Sequence, residues 1–134
     1  MTIRPAGFDE VFDGRSAYVP CAVVNASIEE VAREVGGTVI EGEDGLDHFM
    51  AVPLATGAQD SPLTFALWRH KGNPPGTFAL HFRMDELNSS NRLIAFVVNS
   101  VLSDLGISPD AVVWRSWDEQ PRDEEILVLD GLTT

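Results

Sequence analysis

Residues 63–83 read LTFALWRH (Leu63–His70), KGNPPG (Lys71–Gly76) and TFALHFR (Thr77–Arg83). In the first run the apolar residues Leu63, Phe65 and Leu67 occupy odd positions; in the last, Phe78, Leu80 and Phe82 occupy even ones. Side chains alternate between the faces of a strand, so each run has one apolar side. The segment between supplies turn chemistry: Gly72 and Gly76 admit positive φ, and Pro74 and Pro75 cannot continue a paired strand. The stretch therefore reads as two antiparallel strands and a tight loop. Opposed residues share a face, so both apolar sides reach one core only when an odd residue faces an even one. A slip of one residue would turn one apolar set to water, which specifies the register strongly.

That register gathers Trp68, His70, His81 and Arg83 on the other face, with Thr64 and Ala66. An indole, two imidazoles and a guanidinium are an unusual set for plain solvent surface. Three readings follow: a helix or neighbouring chain covers the indole and the histidines are solvated; the face recognises a partner or small ligand; or it is a catalytic site.

Upstream of this hairpin, residues 1–7 read as a loose tail, Phe8–Phe12 as a short strand and Asp13-Gly14 as a hairpin turn. Tyr18–Asn25 (YVPCAVVN) is valine-rich and reads as a strand, with Pro20 pushing its start toward a sheet edge. Ser27–Val35 is a punctuated helix: Ser27 and Glu30 form a capping box, Glu29 and Glu30 suit the positive end of the helix dipole, and Gly36-Gly37 stops it. Thr38–Glu41 is β-rich, a turn runs from Gly42 to Gly45, and Leu46–Leu54 reads as a strand with Leu46, Met50, Val52 and Leu54 on one face. His48 falls on that face and reads as a hydrogen-bonded core residue. Ala55–Pro62 is a polar loop.

Downstream, Ile94, Val97, Val98, Val101, Leu102 and Leu105 form a stripe at helical spacing. Burial at roughly 1.5–3 kcal/mol per side chain outweighs the few tenths that each β-branched residue costs a helix. Gly106 ends this helix and Ile107 is placed for the hydrophobic contact beyond a glycine cap. Ser108-Pro109-Asp110 is a turn. Ala111–Trp117 reads as a strand whose Trp114 and Trp117 cannot share a face, and Ile126–Leu129 reads as a last strand or one turn of helix. The order predicts an α+β fold: a single, mainly antiparallel sheet of about five to seven strands with two helices on one face. The opposite face, carrying Trp68 and the histidines, would be partly open. At 134 residues, without repeat or linker, the chain 1–134 reads as one domain.

Acidic residues number 21 against 9 basic, a formal charge of −12. This argues against a nucleic acid or anionic membrane as partner, since binding phosphate needs clustered cations. It favours a basic partner. Lys71 is the only lysine, as expected of a GC-rich bacterial genome or a salt-adapted proteome. Cys21 is the sole cysteine, so no intrachain disulfide forms; a buried thiol in a reducing cytosol is the expectation. No secretory signal and no membrane-spanning run are evident, which points to a cytoplasmic protein.

Catalytic, metal and cofactor signatures are absent. Three histidines show no zinc spacing, and there is no phosphate loop, dinucleotide fingerprint or nucleophile elbow. Glu41, Glu43, Asp44 and Asp47 crowd one turn without the calcium-loop pattern. Nothing in sequence activates Cys21 as a nucleophile. The expectation is a non-catalytic, acidic protein-binding module of inhibitor, immunity or chaperone-like adaptor type, with no cofactor and no metal. It would meet a basic protein partner through Trp68, His70, His81 and Arg83, residue types common at interface hot spots. Self-association would cover Trp68 and one of the two later tryptophans. The alternative is a small-ligand binder or small enzyme with a pocket of His70, His81 and Arg83, where Trp68 is a stacking wall and Arg83 holds a carboxylate or phosphate. A deep pocket holding both histidines would favour that alternative; a flat or covered face would favour the protein partner.

Overall fold

The computed structural model describes residues 3–12, 18–44, 47–57, 63–83 and 91–117. They form β1 (Ile3–Pro5), α1 (Phe8–Val11), β2 (Tyr18–Asn25), α2 (Ile28–Val35), β3 (Ile40–Asp44), β4 (Asp47–Thr56), β5 (Leu63–His70), β6 (Thr77–Arg83), α3 (Asn91–Asp104) and, after a 3-10 turn at Pro109–Ala111, β7 (Val112–Arg115). The Asp13-Gly14 turn, Leu46, most of the 55–62 loop and the strand expected at Ile126–Leu129 lie outside the described residues.

The fold is α+β, with one antiparallel seven-stranded sheet in the order β1-β4-β5-β6-β2-β7. Within the ten residues of β4, Phe49–Thr56 pair with β5 along one edge; on the other edge Asp47–Ala51 pair with β3 and Leu54–Thr56 with β1. The hairpin keeps the odd-to-even register: Phe65 faces Phe82 and Leu67 faces Leu80. Gly76 takes φ of +75° where the loop enters β6, a conformation that a Cβ disfavours. Asn73 pins the same loop, its Oδ1 accepting from the His70 amide at 2.7 Å.

α2 and α3 cover one face. Their apolar stripes, Ile28, Val31 and Ala32 on α2 and Val97, Val98, Val101 and Leu102 on α3, join Val52, Leu54, Phe65, Leu67, Phe78, Leu80 and Phe82 in one core. Ser27 caps α2, its Oγ accepting from the Glu30 amide, but that hydroxyl donates to Glu29 Oε2 and the return bond of a capping box is not formed; Gly36 turns left-handed at the helix end. At the end of α3, Ile107 folds back and its amide donates to the Leu102 carbonyl at 2.9 Å.

Several local expectations are corrected. Ile3–Pro5, read as part of a loose tail, pairs with Leu54–Thr56. Phe8–Val11 is one helical turn and not a strand: Asp9 and Glu10 sit in the first turn, and Glu10 Oε1 accepts from Arg4 Nη2 at 2.8 Å, tying the turn to β1. Gly42 lies inside β3 and does not start a turn. A Cβ there would sit 2.6 Å from the Phe49 ring, so the glycine makes room for a ring laid across the strand. His48 does share the Met50–Leu54 face, but it is exposed and faces Glu43 at 3.4 Å, because α2 and α3 do not extend over that end of the sheet. Pro20 falls where β2 is paired to β6 alone, since β7 reaches only Ala22–Val24; the register shift between Pro20 and Ala22 absorbs it.

Candidate functional site

The second face of the sheet has a floor of small side chains. Ala51, Pro53 and Ala55 on β4, Thr64 and Ala66 on β5, and Ala79 on β6 are all buried. Cross-strand pairing lines them up with larger neighbours: Trp68 lies between Ala51 and Ala79, and His81 between Ala66 and Pro20. A floor of methyl groups lets rings lie low over the strands.

The rings make one connected layer. Trp68 stacks on Phe49 with centroids 4.5 Å apart and planes 12° from parallel. Phe12, just after α1, meets Trp68 edge-on at 5.4 Å, and also touches Phe8 at 4.8 Å and Tyr18 at 5.8 Å. His70 and His81 flank the indole at 5.4 and 6.1 Å. The Tyr18 hydroxyl shares a 2.7 Å hydrogen bond with Thr64 Oγ1. Phe12, Tyr18, Phe49, Trp68, His70 and His81 are all half-buried, and Phe8 is 42% exposed.

Trp68, His70, His81 and Arg83 therefore share one face. Trp68 Nε1 donates to Nε2 of His70 at 2.6 Å. Burial, and secondarily the nearby His70, push the His81 pKa down to about 4, so this imidazole is neutral at pH 7. Arg83 is half-buried opposite Tyr18. The concavity that His70 borders does not include His81. α1 and Phe12 sit on this side, while α2 and α3 sit on the other.

Sequence reasoning missed Phe8, Phe12, Tyr18 and Phe49. For Phe49 the signal was present: placing Met50, Val52 and Leu54 on the core face of β4 puts Phe49 on the face of Trp68. For Phe8 and Phe12 there was none, because a helical turn of four residues leaves no periodicity. The two later tryptophans part as expected: Trp114 packs on Val23 and Ala79 on the aromatic face, and Trp117 packs against the helix-covered core.

Cys21 is buried and its pKa is pushed up to about 11 by burial, against hydrogen bonds with Ser116 and the Phe82 backbone that favour the thiolate. At neutral pH it is a thiol and a poor nucleophile. Among the described residues no three His, Cys, Asp or Glu side chains converge as metal ligands, and no helix is long and apolar enough to cross a membrane. No protein-family model, curated protein or solved structure matches this chain.

Proposed function

We propose that the chain is a non-catalytic protein-binding module that recognises a basic partner through the aromatic face of its sheet. The observation that supports this is the connected ring layer from Phe8 through Phe12 and Trp68 to Phe49. It is rigidly packed from below yet leaves each ring partly open above. Stiff aromatic groups that lose little side-chain freedom on docking are typical interface anchors, and their faces attract Arg and Lys side chains. The charge of −12 favours the same kind of partner and would speed encounter at low salt. A cytoplasmic inhibitor or adaptor role is consistent with this reading, and a second copy of the chain is a competing occupant.

The test uses the Phe8→Ser variant, which removes an exposed ring and leaves the floor intact. Proteins crosslinked to the wild-type chain in its own host should include a basic protein whose affinity, remeasured with purified components, falls at least about tenfold for Phe8→Ser with unchanged circular dichroism. Unchanged affinity of every crosslinked partner for both Phe8→Ser and a folded Trp68→Ala variant counts against this face. Sedimentation at high concentration that shows only monomer removes the self-association reading.

A further inference from the structure

At the far end of β3, β4 and β5 the sheet runs on past α2 and α3. This leaves a concavity of about 310 Å³ on the helix side, lined by Glu41, His48, Met50, Arg69 and Lys71 with the strand edges at Phe49 and His70. Its residues are placed by the register. Glu41 faces Met50 and Met50 faces Arg69, so an acid and a base flank an apolar floor two strands apart, roughly 10 Å at the backbone. They do not close into an ion pair. Among the described residues the Arg69 guanidinium has no hydrogen-bond or ion-pair partner, and its Nε is shut away from water without an acceptor. A buried donor left without an acceptor is destabilising.

The second cation is Lys71, the only lysine of a chain with net charge −12. Its backbone is held in place: its amide donates to the His48 carbonyl at 2.8 Å, and Asn73 locks the turn through the His70 amide at 2.7 Å. Two cations without an ion-pair partner among the described residues, on fixed backbone beside a concavity, are a placement that solubility does not require.

We infer that this concavity binds a small organic oxyanion, a carboxylate or phosphate ester that also carries a hydroxyl or amino group. Arg69 forks the oxyanion through its two terminal guanidinium nitrogens, Lys71 adds a point charge, Met50 meets the carbon skeleton, and Glu41 accepts from the hydroxyl or amino group. The volume is at the small end of ligand sites, which fits a molecule of a few carbons. Arg69 lies on the opposite face of the sheet from the ring layer, which the concavity meets only at the strand edges Phe49 and His70.

The experiment follows the backbone amides of Lys71 and His48 by NMR at low ionic strength while inorganic phosphate, glycerol 3-phosphate or lactate is added. Glycerol 3-phosphate or lactate should give saturable shifts centred on these amides, which Arg69→Gln weakens at least about tenfold while other amides keep their positions. Glu41→Leu, which removes both acceptor and charge, should lower the affinity of glycerol 3-phosphate and lactate relative to that of inorganic phosphate, which separates the donor contact from the charge; an unchanged ratio overturns the role of Glu41. The relative affinities of glycerol 3-phosphate and lactate tell phosphate from carboxylate. Absence of saturable shifts with all three probes up to about 50 mM, an affinity range weaker than millimolar binding, overturns the site. So do shifts that Arg69→Gln leaves unchanged.

Discussion

Under α2 and α3 the strands contribute large side chains, Phe65, Leu67, Phe78 and Leu80, and the helices fill the spaces between them. On the other side the same strands contribute Ala51, Ala55, Ala66 and Ala79, and rings from elsewhere in the chain lie across that floor. Both faces exclude water from the sheet, but by different means. The first interlocks side chains in depth, so each residue is surrounded. The second is a thin plate, one ring thick, whose upper surface still meets water. A thin plate holds less of the stability and leaves more for recognition.

That contrast can be broken experimentally. The largest effect belongs to the interlocked face: Leu80→Ala, at a site with no exposure, should cost about 3 kcal/mol in urea unfolding, since the cavity left between the helices and the sheet relaxes little. Trp68→Ala removes a bigger side chain from the plate but should cost only about 2 kcal/mol, because half-buried rings give up less area and stacking adds about 1 kcal/mol. If Trp68→Ala proves the more damaging, the plate is the main core and the contrast fails. The smallest effect depends on pH. His81 has its folded pKa lowered to about 4 from an ordinary 6.5, so between these values the unfolded chain binds more protons than the native one. Its contribution is complete above pH 6.5, falls as pH drops through the window, and is gone below about 4. Since the ring keeps some contact with water, about 1–2 kcal/mol is expected, less than full conversion of the shift. The difference in stability between wild type and His81→Gln should change by that amount between pH 7 and pH 4; a constant difference would show that the imidazole is already solvated.

The helix-covered face was legible in sequence because period-two and helical patterns act over many residues. The alternation in 63–83 and the stripe Ile94–Leu105 each repeat one message several times, and the structure follows both. The aromatic plate was legible only in part. Parity alone assembled Trp68, His70, His81 and Arg83. The rings that lie on them come from α1, from the residue after it and from the start of β2, and short segments carry no repeat to read. His48 shows the other limit: its parity was right and its burial was not, because strand parity says nothing of where a helix layer ends. The concavity beside Arg69 lies at that same boundary.

β2 sits inside the sheet although it comes early in the chain. Both its neighbours come late: Val24 is opposite Phe78 on one side, and Ala22 is opposite Arg115 on the other. While the polypeptide is being synthesised, this valine-rich segment must wait until residues 77–83 and then 112–115 have left the ribosome before both its hydrogen-bonding edges are satisfied. Contacts so distant in sequence close slowly. The nascent protein therefore carries a sticky, unpaired ribbon through most of its synthesis, and slow translation or a missing C-terminal third should show up as aggregation seeded by residues 18–25.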